Sequence, residues 1–465
     1  MTKTKIPVTP KNWLVNLPDK ELYERVKKIL TLKDTSYKAV WPHKKMYGEK
    51  GFKTGLIDFI NERVTDIELY TDIPKLPLLE NKDIKLLGLR DYQIEATNSI
   101  LSHTRGIVSS PTASGKTMME IALCLKLPKP IVFLVPSTDL ISHAYREMKK
   151  FGITKKYNVT IYGGGTFKDT SGDIVIMTNQ SLVRQSAIVK SFMKRCKSII
   201  SDEVHHSTGK LYSILGKCPA LYRAGFSATP WADDWTDIKY ARLISNFGKQ
   251  VYDGYEDDRI DIFRMKPTVY VAKYKNKDKT ISPELLQAVE NHDYIEQKRH
   301  EIVKNNGRNK FIVQLAEILR LKGLHTFIVV DWTQHIDTIS IIAKQLNVPI
   351  TFLTGEDDTS YRNNVYNNLR NSGTEPIIIC GTVGSEGIDL IHLNAIIFAS
   401  IGKSEIKIIQ SIGRSARKHP DKKIAMCIDI MDPFFSSHMK KRHKLYKKEG
   451  YDVRSIKELL SDQIK

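Results

Sequence analysis

The chain has 465 residues, 41% hydrophobic and 27% charged, with a formal net charge of +20. That length exceeds one ordinary core and calls for two or three domains, and the composition excludes a disordered or low-complexity chain. No apolar run approaches a membrane span, the opening Met1-Thr2-Lys3-Thr4-Lys5-Ile6-Pro7 lacks the apolar core of a signal peptide, and the five scattered cysteines form no CxxC pair, so the expectation is a cytoplasmic chain without a disulfide frame. The basic excess points to a polyanionic partner, although basic residues run along the whole chain and locate no groove.

Residues 1–85 carry no nameable motif and read as a small N-terminal accessory region. Basic and aromatic residues interleave from Tyr37 to Tyr47, which suits phosphate contacts with base stacking. Trp41 and Tyr47 suit a small core equally well, and both readings stand. The prolines of Ile73-Pro74-Lys75-Leu76-Pro77 predict a linker. Arg90-Asp91-Tyr92-Gln93 then precedes a helix-like run from Ile94 to Ile100. Gln93 can donate to and accept from an adenine edge, or simply open an amphipathic helix.

The next stretch organises the chain. Ser109-Ser110-Pro111-Thr112-Ala113-Ser114-Gly115-Lys116-Thr117 lies between the apolar Gly106-Ile107-Val108 and a helix-spaced run from Met118 to Leu123. A strand, a turn of small residues and a helix opening on Gly-Lys-Thr form a phosphate-binding loop. Its backbone N–H groups converge on phosphate oxygens, Lys116 reaches the β- and γ-phosphates, and Thr117 offers its hydroxyl to Mg²⁺. Ser110 stands where the pattern asks for its first glycine.

Ile131 to Val135 reads as a buried parallel strand, followed by Ser137-Thr138 as a helix cap. Tyr162-Gly163-Gly164-Gly165-Thr166 permits close backbone approach to a ligand or is a plain connection. Ile174 to Met177 is strand-like and leads into the polar turn at Thr178. Ser198 to Ser201 runs into Asp202-Glu203-Val204-His205-His206. Downstream of a phosphate loop, Asp202 can hold Mg²⁺ and Glu203 can orient and deprotonate an attacking water. The adjacent histidines lack the partners of a zinc site. Phe226-Ser227-Ala228-Thr229-Pro230 is another small hydroxyl-bearing turn, whereas Trp231, Trp235 and the acidic run from Asp253 to Asp258 take no role.

A second set of strand-like runs follows: Thr326–Val330, 350–353, 376–380 and Ala395–Phe398, separated by helical stretches. No second phosphate loop accompanies them. Arg414 and Arg417, three residues apart, share a helix face and can reach a γ-phosphate as an arginine finger. The tail from His438 to Lys465 is open between a packed helix and a nucleic-acid arm. The expected fold is α/β: two doubly wound parallel-sheet domains, 86–295 and 296–435, with the accessory region 1–85 and a basic tail 436–465.

In order, Arg90-Asp91-Tyr92-Gln93, the loop through Thr117, Val135 to Thr138, Asp202 to His205, Ser227-Ala228-Thr229, Thr354-Gly355, Gly381 to Asp389 and Gln410 to Arg417 resemble the motifs of a superfamily 2 helicase of the DExH type. The Asp-Glu-Val-His-His form resembles the branch holding type III restriction subunits and phage recombination helicases of the UvsW type. The resemblance implies two RecA-like domains clamping ATP and Mg²⁺, with nucleic acid lying across both. It assigns Arg90, Gln93, the loop Ser110, Pro111, Thr112, Ala113, Ser114, Gly115, Lys116 and Thr117, together with Gly387 and Asp389, to nucleotide binding. It assigns Lys116, Asp202, Glu203, Gln410, Arg414 and Arg417 to hydrolysis, and His205, Ser227, Ala228 and Thr229 to coupling. Ser137, Thr138, Gly164, Thr178, Thr354 and Thr382 become candidates for strand contacts. Ala113 replaces a glycine common in this loop, a sterically mild change, and His143 stands where glutamine is common. The implied activity is ATP-driven remodelling of branched DNA in replication, recombination or repair. An RNA helicase, a restriction translocase subunit and a non-catalytic binding protein are the competing readings.

Overall fold

The computed structural model describes residues 4–8, 20–33, 43–48, 51–163, 167–231, 237–274, 282–354, 356–370, 375–380, 392–400, 408, 411–413, 415, 422–432 and 435–461. The chain divides into two units, Met1–Ile260 and Asp261–Lys465.

In the first unit, β1 (Arg105–Ser109), β2 (Ile131–Val135), β3 (Val159–Gly163), β4 (Phe167–Lys168), β5 (Ile174–Thr178), β6 (Ser198–Ser201), β7 (Tyr222–Ser227) and β8 (Gln250–Asp253) form one sheet. Their order is β4-β3-β5-β2-β6-β7-β1-β8, parallel throughout except between β3 and β4. Successive side chains of a strand face opposite ways. Val132 and Leu134 accordingly enter one apolar core, and Ile131, Phe133 and Val135 the other. Helices Asp91–His103 and Lys116–Lys126 cover the second face, which is why both carry the spaced apolar residues read in the sequence.

The other face is covered in part by the N-terminal residues. Leu22, Val26, Leu30, Phe52, Leu56 and Ile60 share a single core with Ile107, Val132, Ile199, Leu243 and Phe247. Tyr47 packs against that core, and Trp41 lies outside the described residues. The fit at Gly55 is close enough that a Cβ there would strike the carbonyl oxygens of Ile244 and Ser245.

Lys53 fastens this junction without a carboxylate. Its buried Nζ donates to Asn246 Oδ1 at 3.0 Å and lies 3.7 Å from the Tyr212 ring centroid. Burial, then Arg223 and Arg242, pull its pKa down from 10.5 to about 7. The unfolded chain therefore holds the extra proton across that interval, and stability rises with pH through it. The gain should be on the order of 2–4 kcal/mol from the shift. Urea unfolding at pH 7 and pH 9.5 should show a wild-type gain that Lys53→Met lacks. Superimposed profiles for the two proteins would refute the assignment.

The second unit carries β9 (Thr268–Lys273), β10 (Thr326–Val330), β11 (Thr351–Leu353), β12 (Ile377–Cys380), β13 (Ala395–Phe398), β14 (Met426–Met431) and β15 (Val453–Ser455). Their order is β11-β12-β10-β13-β14-β9-β15, all parallel. β9 joins this sheet from upstream of residue 296, and the tail contributes β15 and a helix, Ser436–Lys448, whose Met439, Arg442, Leu445 and Tyr446 are buried. Two bidentate pairs brace the interior: Arg308 with Asp432 at 2.5 and 2.9 Å, and Arg442 with Asp429 at 2.8 Å twice. Both sheets are the RecA-like, doubly wound form expected from the sequence. Among the described residues no helix is long and apolar enough to cross a membrane.

Candidate functional site

The parallel register of β1 and β7 sets Ser109 opposite Ser227, so the phosphate loop and the Ser-Ala-Thr turn leave one sheet edge side by side. Ser110 N donates to Ser227 O at 3.0 Å and fixes them together. Gly115 caps the helix Lys116–Lys126 at φ +82, and a Cβ there would strike Gln93 Nε2. Ala113 also adopts a left-handed backbone, φ +66, so replacing the usual glycine is not sterically mild. An L-residue costs roughly 1–2 kcal/mol in that region, strain held where the loop must curl.

The loop is cross-braced from inside. Ser110 Oγ donates to Ser114 Oγ at 2.7 Å, and Ser114 O accepts from Tyr92 Oη at 2.8 Å and Gln93 Nε2 at 3.1 Å. Arg90 reaches Tyr92 Oη at 2.9 Å, and Gln93 Oε1 accepts from Arg90 N at 3.0 Å. Gln93 is therefore buried with both ends of its amide engaged, holding the loop and capping its own helix. Pro111 is buried, while Thr112, Lys116 and Thr117 remain partly open. Lys116 Nζ donates to Ser110 O at 3.2 Å.

β6 delivers the acids. Asp202 N donates to Leu134 O at 2.9 Å, and Asp202 Oδ1 accepts from Glu203 N at 2.8 Å, with Glu203 at φ +45. Burial, then Glu203, raises the Asp202 carboxyl to about 7. Glu203 Oε2 accepts from Ser227 Oγ at 3.2 Å, and Ser227 Oγ also meets Thr229 N at 3.0 Å and His205 Nδ1 at 2.8 Å. With its own proton directed to Glu203, Ser227 Oγ accepts from the other two, which sets the Nδ1–H tautomer of His205. Burial draws the His205 pKa down to about 4, so the ring is neutral, and its buried Nε2 finds no hydrogen-bond partner among the described residues.

Two features escape the sequence reading. Glu120, one helical turn after Lys116, is buried beside Asp202; burial, then Asp202, holds its carboxyl well above the usual range. Its i+4 spacing from Lys116 is the one signal of it in the sequence. The acidic run after β8 has a structural task as well. Gly254 N donates to Ser109 O at 2.7 Å and Tyr255 Oη to Ala228 O at 3.0 Å, closing the floor under loop and turn. Trp231 Nε1 donates to Gln250 Oε1 at 2.7 Å beside this floor.

The strand-contact candidates are less uniform. Ser137 Oγ is buried without a partner among the described residues, and Thr138 is exposed. Thr178 Oγ1 is engaged in a helix cap, accepting from Ser181 N at 3.1 Å and donating to Ser181 Oγ at 2.9 Å. In the second unit, Thr354 N and Oγ1 both donate to Asp357 Oδ2. Gly164, Thr382, Gly387, Asp389, Gln410, Arg414 and Arg417 lie outside the described residues. What the first unit assembles is a loop able to cradle phosphate, a cation beside it, and acids at the end of β6, one strand beyond β7.

Comparison with known proteins gives the same picture. Residues 86–232 match the family model "Type III restriction enzyme, res subunit", and residues 308–419 match "Helicase conserved C-terminal domain". The ATP-dependent DNA helicase UvsW of Enterobacteria phage T4 is 26% identical, with 73% of this chain and 68% of that protein covered. The DNA 3'-5' translocase XPB2 of Sulfurisphaera tokodaii is also 26% identical, over 80% of this chain and 87% of its own. In fold, S. cerevisiae Dbp5 bound to RNA and ADP BeF3 superposes with a TM-score of 0.57 at 14% identity, covering 80% of this chain and 92% of that one.

Proposed function

Because this chain is a superfamily 2 helicase, an ATP-dependent enzyme, we propose that it is a DNA helicase or translocase that remodels branched DNA during replication, recombination or repair, acting in a cytoplasm. The observation that carries the catalytic half is the Ser227 hydroxyl, which joins Glu203, His205 and Thr229 next to the phosphate loop. Lys116 binds the β- and γ-phosphates, and Glu203 orients and deprotonates the attacking water. A shift of Glu203 on hydrolysis passes through Ser227 to His205 and the turn, which couples nucleotide state to strand contact.

The donor set suits Mg²⁺. Thr117 and Asp202 offer hard oxygen donors, and no cluster of three His, Cys, Asp or Glu among the described residues could cage a metal unaided. An ion that keeps phosphate and water ligands fits that arrangement. When bound it neutralises phosphate charge.

The DNA half rests on the relatives named above and on the +20 charge. ATP hydrolysis measured with single-stranded, duplex, forked and four-way DNA, and with RNA, tests it. Strongest stimulation by branched DNA is expected. Stimulation by RNA alone would overturn the DNA reading, and equal stimulation by plain duplex would reduce it to a translocase. That last outcome would favour a second reading, the motor of a restriction assembly, which the match of residues 86–232 supports.

A further inference from the structure

All strands of the second sheet run parallel, so their carboxyl ends share one edge. Where β9, β14 and β15 end beside the helix Ser436–Lys448, an open groove of about 780 Å³ remains. Its floor is aliphatic and thioether: Val271, Met431, Met439, Val453 and Ile456. Lys440 and Lys444, one helical turn apart, form one wall, and Lys273, Arg454 and Lys457 form the other. Among the described residues no carboxylate lines it.

The helix sorts its cations by face. Arg442 turns inward and is neutralised by Asp429, whereas Lys440 and Lys444 are exposed. Arg454 has Asp452 at 2.7 Å, but Lys273, Lys440, Lys444 and Lys457 make no ion pair among the described residues. Like charges gathered around one concavity repel, and a continuous polyanion in the groove relieves that repulsion.

We propose that this groove holds the sugar–phosphate backbone of a DNA strand, as a contact separate from the helicase motifs; the inference rests on the DNA reading above. Cations on both walls of an open trough suit a polymer whose charge repeats. The apolar floor suits deoxyribose and base faces, with the two thioethers able to meet aromatic rings. Among the described residues no Phe, Tyr, Trp, Asn or Gln lines the groove; the polar lining is five cations with His443 and Ser455, which suits backbone phosphates. Thr354 leaves the same sheet edge after β11, at the opposite flank. Five strand intervals separate β11 from β9 in the order β11-β12-β10-β13-β14-β9. At about 4.8 Å each they span roughly 24 Å, which corresponds to roughly seven nucleotides at 3.4 Å per nucleotide.

The test is anisotropy of the full chain with labelled DNA oligonucleotides of graded length, titrated against salt. Lys440→Ala/Lys444→Ala should bind long oligonucleotides about tenfold more weakly at moderate salt and lower the slope of log K against log salt by about 2. Short oligonucleotides, and ATP hydrolysis without DNA, should be unaffected. Lys440→Arg/Lys444→Arg should retain binding. An unchanged slope and affinity at every length would overturn the groove while leaving the DNA reading intact. Loss of poly-glutamate binding with unchanged DNA binding would overturn it in favour of an acidic protein partner. A wild-type chain that binds no DNA at low salt would instead defeat the reading of function itself.

Discussion

Lys116→Ala should cut ATP turnover by at least about 100-fold, the scale on which single preorganised charge-stabilising donors act. In the structure the Lys116 ammonium is held within the loop by Ser110 O at 3.2 Å and has no carboxylate partner among the described residues. It is therefore available to phosphate oxygens without first breaking an ion pair. Alanine is a strong helix former, so the substitution at the first turn of Lys116–Lys126 leaves the helix standing. Under the proposed role Lys116 meets phosphate in both ground and transition states, so nucleotide affinity should fall together with turnover. The measurement is steady-state phosphate release beside binding of a fluorescent ATP analogue. Retention of half the wild-type turnover would remove Lys116 from the mechanism.

Glu203→Gln should separate those two quantities. Glutamine keeps the shape and an oxygen that accepts from Ser227 Oγ, so the turn linking Glu203, Ser227 and His205 stays assembled. What it loses is the capacity to take a proton from water, worth about 10² to 10⁴ in rate. Turnover should fall across that range while the fluorescent analogue binds as it does to wild type. Turnover within about tenfold of wild type would show that Glu203 does not act as the base. Joint loss of binding and turnover would point to collapse of the loop floor instead.

Much of this site is legible in the chain because it is built from short local patterns. The strand and helix read on either side of Gly115-Lys116-Thr117 are both present, and β6, β10 and β13 coincide with the apolar runs that predict them. What stays hidden depends on partners distant in sequence. Asp429 breaks the apolar pattern of β14, and only Arg442 and Tyr446, on the following helix, make that carboxylate tolerable inside a sheet. Likewise β9 belongs to a sheet whose other strands arrive more than fifty residues later. Gln93 reads in the sequence as an adenine contact or as the opening of an amphipathic helix; that its amide also meets Ser114 O and Arg90 N is a pairing that spacing alone does not disclose. Glu120 takes no role of its own in the sequence; only burial beside Asp202 gives it one.

The core shared by the N-terminal residues and the first sheet bears on how the protein must fold. Leu30, Phe52 and Ile60 are fully or almost fully buried, together with Ile107 and Ile199 from the sheet. A truncated protein that started at the phosphate-loop domain would bare part of that core to water, the kind of surface that chaperones grip and that drives aggregation. The segment and the sheet thus form a single cooperative foldon, and a denaturant melt should register them in one transition. Evolution can change the outward residues of the N-terminal segment freely, but it can discard the segment only by repacking the motor it covers.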